Sequence, residues 1–348
     1  MIRKLLAAVF TCALLAGPAL AADKEKLVIA MPNRGIAITP LYLAISGGYF
    51  DKLGLDVQML YLDGGTKAIA ALLGGEAQIY MAPILDVFAA QAGGAGMVEC
   101  GVINNHINSN VVVSKQWAKD HNVTETSSYE DKLKALKGAR IAVTSLGSST
   151  AGIVRYLAGA AGLNPDRDMQ IVSVGSNVVS MLAAMENKYV DIFVLSSPAP
   201  ELAKKQFEAV NLFNFGRGDV KSLDVLAWNG VIAYDKWLKE HPETITKYLL
   251  GLQQAMNDLQ DSSRTEEAKK LVVKSGFVTG LDNDILDASW TNLRLLVPAK
   301  IEITKTMVEN TIKFWNVYAP EKIDLSAADK YFTNEYAAKA IEMSQKGK

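Results

Sequence analysis

The pattern that most constrains this chain occurs twice. Short apolar runs each end in a cluster of small, polar or proline residues, and a helix signal follows. In the first set, residues 26–31 (KLVIAM) run into Pro32, residues 55–61 (LDVQMLY) alternate as a half-buried strand does, and residues 78–81 end at Ala82-Pro83. Between them, Thr39 is placed to cap a helix with Pro40 in its first turn and Gly47-Gly48 at its end. Thr66 is placed to cap a second helix over 67–73 after Gly64-Gly65. The second set has strands at 139–144, 169–174 and 191–195, with helices at 151–161 and 178–186. This β-α-β-α-β order predicts an α/β fold of two lobes, each a mostly parallel sheet wound with helices on both faces.

A strand is expected at 224–227, returning the chain toward the first lobe. Beyond residue 231 the chain reads as helical: 235–256 interrupted at His241-Pro242, then 266–275, 282–296, 305–317 and 326–344. The Trp, Met and Tyr residues of that region recur at core spacing.

Composition narrows the function. Lys and Arg number 36 against 37 Asp and Glu, a formal charge of −1, so no basic field exists to hold nucleic acid or an acidic membrane surface. Two cysteines and three scattered histidines supply neither a disulfide framework nor a metal-ligand spacing, and no metal or cofactor is expected. Neither a Gly-x-Ser-x-Gly elbow nor a phosphate-binding Gly-x4-Gly-Lys loop is present, which favours binding over catalysis.

The N-terminus reads as an export signal. Arg3 and Lys4 precede an apolar run over 5–16, Gly17-Pro18 break it, and Ala19-Leu20-Ala21 forms a small-x-small cleavage site. The run falls short of the roughly 18–20 residues that span a bilayer. Cleavage after Ala21 removes Cys12 and leaves Cys100 alone, so the mature chain is expected in the periplasm without an internal disulfide or a direct membrane anchor.

Ligands of parallel α/β sheets bind beyond the carboxyl ends of strands, where helix N-termini open. Candidate contacts in that setting are Arg34, Thr39, Gly65, Thr66, Ala82, Pro83, Ser196 and Ser197. The turn Ser145-Leu146-Gly147-Ser148-Ser149-Thr150 is the strongest candidate, with Ser145, Gly147, Ser148, Ser149 and Thr150 as contacts. Hydroxyls and free N–H groups at a helix start hold an anion or carbonyl without a charged side chain. An ordinary cap needs only one such residue. Gly175-Ser176-Asn177 offers a similar setting. Trp228 and Asn229 follow the returning segment, as a pocket wall and a polar contact or as interface packing. Tyr42 and Tyr80 read as packing residues.

Two segments carry a family resemblance. Residues 40–83 (PLYLAISGGYFDKLGLDVQMLYLDGGTKAIAALLGGEAQIYMAP) and 137–163 (KGARIAVTSLGSSTAGIVRYLAGAAGL) resemble the two lobe openings of solute-binding proteins of ABC importers, in the nitrate, sulfonate, taurine and thiamine-pyrimidine-precursor group. Residues 191–198 and 228–252 also fit. Gln78 departs from the family's usual Asp, a position read as structural. The resemblance implies a periplasmic binding protein type II fold, two doubly wound lobes joined by two crossovers with a ligand cleft between them. The lobes are expected at 26–113 plus 228–348 and at 114–227. It further implies a monomer that captures a small anionic or polar solute such as a sulfonate, taurine or nitrate, and delivers it to a permease with its ATPase. A pyrimidine vitamin precursor or an aromatic acid is the alternative cargo. An enzyme on the same fold is disfavoured, because the cysteine-rich motif of the fungal pyrimidine synthase relatives is absent.

Overall fold

The computed structural model describes residues 24–32, 34–62, 65–278 and 280–346. The expected signal at 1–21, with Asn33 and Gly64, lies outside the described residues. The first lobe opens with β1 (Glu25–Met31), α1 (Thr39–Ser46), α2 (Tyr49–Lys52), β2 (Leu55–Tyr61), α3 (Gly65–Leu73), β3 (Ile79–Pro83), α4 (Ile84–Ala92) and β4 (Met97–Asn104). The second lobe holds β5 (Ser109–Val113), α5 (Lys115–Asp120), α6 (Tyr129–Lys134), β6 (Arg140–Val143), α7 (Ser149–Ala160), β7 (Gln170–Ser173), α8 (Val178–Glu186), β8 (Ile192–Ser196), α9 (Ala199–Phe207) and β9 (Val210–Phe213). The chain then returns through β10 (Asn229–Tyr234) to α10 (Asp235–Glu240), α11 (Pro242–Gln260), α12 (Thr265–Lys274), α13 (Asn283–Leu296), α14 (Lys305–Tyr318) and α15 (Glu335–Lys346).

Two sheets result, ordered β2-β1-β3-β10-β4 and β7-β6-β8-β5-β9. Both are mixed rather than mostly parallel. β10 runs antiparallel to β3 and β4, and β5 runs antiparallel to β8 and β9. The departure has one cause in each lobe: the strand that enters from the other lobe inserts second from the edge, against the local direction. Ser109–Val113, expected at the end of the first lobe, therefore pairs in the second sheet.

The expected strand at 224–227 does not form. Val225 has φ of +55°, which breaks extended geometry. Leu226 N–H instead donates to Asn105 O at 2.7 Å, and Trp228 N–H to Asn104 O at 3.1 Å, so the two crossing segments lie side by side. The expected helix at 326–344 also divides. A 3₁₀ turn at Leu325–Lys330 precedes α15. Between them Phe332 bridges Glu99, with Glu99 N–H donating to Tyr331 O and Thr333 N–H to Glu99 O, which covers the exposed edge of β4.

The departure at Gln78 has a structural role, because its Oε1 accepts from Val28 N–H at 2.9 Å where β1 meets β3. Tyr42 and Tyr80 are fully buried, as expected of packing residues. Cys100 is buried and free.

The late helices close the seam between the lobes. Leu286, Trp290 and Leu293 of α13 pack into the first-lobe core. The same helix reaches α9 of the second lobe, where Lys205 pairs with Asp282 and Asp284. On the other flank, Thr311 of α14 hydrogen-bonds Ala227, and Tyr318 lies against α7 so closely that a Cβ on Gly152 would stand 2.6 Å from its ring.

Candidate functional site

Between the two sheets lies a cleft of about 750 Å³. Its walls are the carboxyl ends of β1, β3, β6 and β8, the first turns of the helices that follow them, and the crossing segments. Of the residues proposed from sequence, Arg34, Gly65, Ala82, Pro83, Ser145, Ser149, Thr150, Ser196, Ser197, Trp228 and Asn229 line it together.

Four do not. Thr39 is buried inside the first lobe and does not cap; Ile38 holds the cap position, and the Thr39 hydroxyl donates to Ile36 O at 2.6 Å. Thr66 falls inside α3, which begins one residue earlier at Gly65. Gly147 sits at the tip of its turn with no atom near its Cα substituent position. Ser148 is the N-cap of α7: its Oγ accepts from Ala151 N–H at 3.4 Å, donates to Ser145 O at 2.7 Å and lies 2.7 Å from Thr150 Oγ1. Those bonds engage the hydroxyl within the turn. Its neighbours Ser145 and Ser149 carry the lining role.

The helix ends explain why small alcohols gather here. The first N–H groups of α7 have no acceptor inside the helix and carry its partial positive charge. Asn177 caps α8 by accepting from Ser180 N–H at 3.1 Å, which sets Gly175, Ser176 and Val178 into the wall. Each helix start contributes roughly 0.3–1 kcal/mol toward an anion.

Among the described residues Arg34 is the one charged side chain of the lining. Its guanidinium lies 3.9 Å from the centre of the Tyr61 ring and makes no ion pair among the described residues. Behind Gly65, the Tyr80 hydroxyl donates to Asp86 at 2.5 Å. Burial holds the Asp86 carboxyl above the usual range against that bond. A Cβ on Gly65 would stand 3.0 Å from the Tyr80 hydroxyl, so the pair abuts the cleft without lining it.

Trp228 serves both of its expected roles. It is 1% exposed and meets Phe314 edge-on, yet it also lines the cleft, with Nε1–H donating to Asn108 Oδ1 at 3.1 Å. Asn229 is held by donating from Nδ2 to Asn104 Oδ1 at 2.9 Å.

Sequence reasoning missed Asn108 and Ser109, which the crossover between β4 and β5 carries into the cleft, and the apolar Met31, Met81, Val178 and Leu195. The available signal was position: Met31, Met81 and Leu195 lie at the carboxyl ends of strands. Among the described residues no group of His, Cys, Asp and Glu could hold a metal ion, and no helix is long and apolar enough to cross a membrane.

Solved structures share this architecture. A protein from Bordetella bronchiseptica RB50 superposes with a TM-score of 0.75 at 22% identity, covering 93% of this chain and 99% of its own. The periplasmic aliphatic sulphonate-binding protein SsuA from Escherichia coli gives 0.68 at 20% identity, covering 90% and 99%. The periplasmic nitrate-binding protein NrtA from Synechocystis PCC 6803 gives 0.71 at 15% identity, covering 92% and 89%. The last two are binding proteins, not enzymes. At these identities the likeness establishes the periplasmic binding protein fold. No curated protein matches by sequence. The sequence pattern described as NMT1/THI5-like matches residues 36–263, and the chain belongs to that family.

Proposed function

We propose that this chain is the soluble, exported substrate-binding component of an ABC importer. It captures a small anionic or polar solute, of sulfonate, taurine or nitrate type, by closing its lobes and presents the loaded form to a membrane permease. The reading rests on one observation: the cleft draws its lining from both lobes and combines helix starts, alcohols and a single guanidinium.

Micromolar capture needs about −8 kcal/mol. Helix starts at roughly 0.3–1 kcal/mol and charge-assisted hydrogen bonds at roughly 1.5–3 kcal/mol fall short in an open, wet groove once association costs are met. Excluding water by closure strengthens each of them. The difference between open and closed shapes is what a permease can read.

The apolar residues of the wall favour a second reading, a pyrimidine precursor or an aromatic acid as cargo. A thermal-shift screen of defined solutes tests the function itself. Reproducible stabilisation by one solute that is recovered unchanged is expected. Formation of a product would overturn the binding role.

A further inference from the structure

Resting on the solute-binding reading, we propose that the cargo is an organic monoanion that also carries a neutral hydrogen-bond donor, an O–H or an amide-type N–H. Ser197 selects for that donor, and Glu201 is the residue that positions Ser197.

Some of the protons at the cleft wall are already committed. Ser197 lines the cleft, but its hydroxyl donates to Glu201 Oε1 at 2.7 Å. That oxygen accepts, so the Ser197 proton is held there and the cleft meets its lone pairs. Glu201 is itself fixed. It is 8% exposed, and the same oxygen accepts from Asn292 Nδ2 of α13 at 2.6 Å. Asn292 Oδ1 in turn accepts from Asn214 Nδ2 at 3.0 Å. The chain of bonds runs from the cleft wall across the seam between the lobes, and each link sets the orientation of the next.

Asn229 is oriented by a separate chain. Asn104 Nδ2 donates to Ile103 O at 2.9 Å, which leaves Asn104 Oδ1 to accept from Asn229 Nδ2 at 2.9 Å. Asn229 keeps its carbonyl oxygen, an acceptor, and its second amide hydrogen, a donor. The Trp228 indole N–H is committed to Asn108. Ser197 is therefore an oriented acceptor in the wall, and a solute without a donor leaves it desolvated and unpaired. A site built this way rejects an analogue that lacks the matching hydrogen.

Charge and apolar contact complete the class. Among the described residues Arg34 is the one charged side chain of the lining and no Asp or Glu lines the cleft, so one negative charge is matched there and an ammonium group is not. Met31, Met81, Val178 and Leu195 offer apolar contact that only a carbon body can use. The solute class proposed above thereby narrows to its donor-bearing organic acids: nitrate and sulfate have neither a donor nor a carbon body, and taurine carries its donor as an ammonium.

The test is a thermal-shift library of monocarboxylates and monosulfonates, followed by calorimetry. Each hydroxyl- or amide-bearing acid is paired with its O- or N-methyl analogue, and nitrate, sulfate and taurine are included. The strongest stabiliser is expected to be a donor-bearing monoanion that binds at least about tenfold more tightly than its methylated partner. A donor-free acid, nitrate, sulfate or taurine as the best ligand would overturn the inference while leaving solute binding intact. Stabilisation by nothing in the library would overturn the inference, and the wider solute screen then decides the binding reading. Ser197→Ala and Glu201→Ala are expected to bring the affinities of each pair together. An equal loss for both members of a pair would mean that Glu201 only supports the fold, and would overturn its positioning role.

Discussion

Glu99 provides a sharp physical test of the first lobe. It sits on β4 with no exposed surface, and neither carboxyl oxygen has a hydrogen-bond partner among the described residues. The side chain lies so close over Gly230 of β10 that any Cβ there would overlap it. Burial pushes its carboxyl well above the usual range. The unfolded chain gives up this proton above about pH 4.3, whereas the folded chain keeps it. Between those limits unfolding releases a proton, and stability is lost as pH rises, by about 1.4 kcal/mol per pH unit. Glu99→Gln does not titrate. The unsatisfied amide hydrogens of the variant cost about 1–3 kcal/mol at every pH, which offsets its curve without tilting it. All other titrating groups are shared and cancel in the difference. As pH rises from 5 the variant should therefore gain steadily on the parent, by up to about 1.4 kcal/mol per pH unit while Glu99 stays protonated in the fold. Urea unfolding followed by circular dichroism at several pH values measures this directly. Parallel curves for the two proteins would refute the reasoning, because they would mean that Glu99 is ionised in the fold and paired.

Ser148→Ala should lower stability by about 1 kcal/mol through loss of the α7 cap, whereas Ser149→Ala should leave Tm within about 1 °C, as a surface alcohol change does, and weaken the best solute from the screen; calorimetry and thermal melts on both variants separate the two roles. Gly152→Ala should destabilise by about 1–3 kcal/mol by overpacking against Tyr318, and adding Tyr318→Ala should return part of that loss in a melt of the double variant. Arg34→Ala should reduce affinity for an anionic solute about tenfold or more, the worth of a charge-assisted hydrogen bond, with little effect on binding of its uncharged amide; equal losses for the two would remove Arg34 as the anion contact.

Local pattern made the helices and the outer strands legible. Residues 55–61 and 178–186 match β2 and α8 to the residue, because alternation and capping are local signals. The strands that carry the lobe topology were harder to see. β4 contains Glu99 and Gly101, which interrupt its apolar run, and the fold tolerates that carboxyl only by burying it. β5 and β9 are short, and they owe their places to partners distant in sequence. The antiparallel insertions of β5 and β10 follow from the two crossings and not from any residue type. At the site, the sequence identified small alcohols at helix starts but could not say which hydroxyl of the Ser145–Thr150 turn faces the cleft. The cap bonds of Ser148 decide that, and they exist only once the turn has formed. Asn108 and Ser109 were invisible for the same reason as β5.

Small-angle scattering of the chain, with and without the solute that stabilises it most, tests lobe closure most directly. On saturation the radius of gyration should fall toward about 20 Å, the value for a compact chain of this length. An unchanged radius at full calorimetric occupancy would contradict capture by closure.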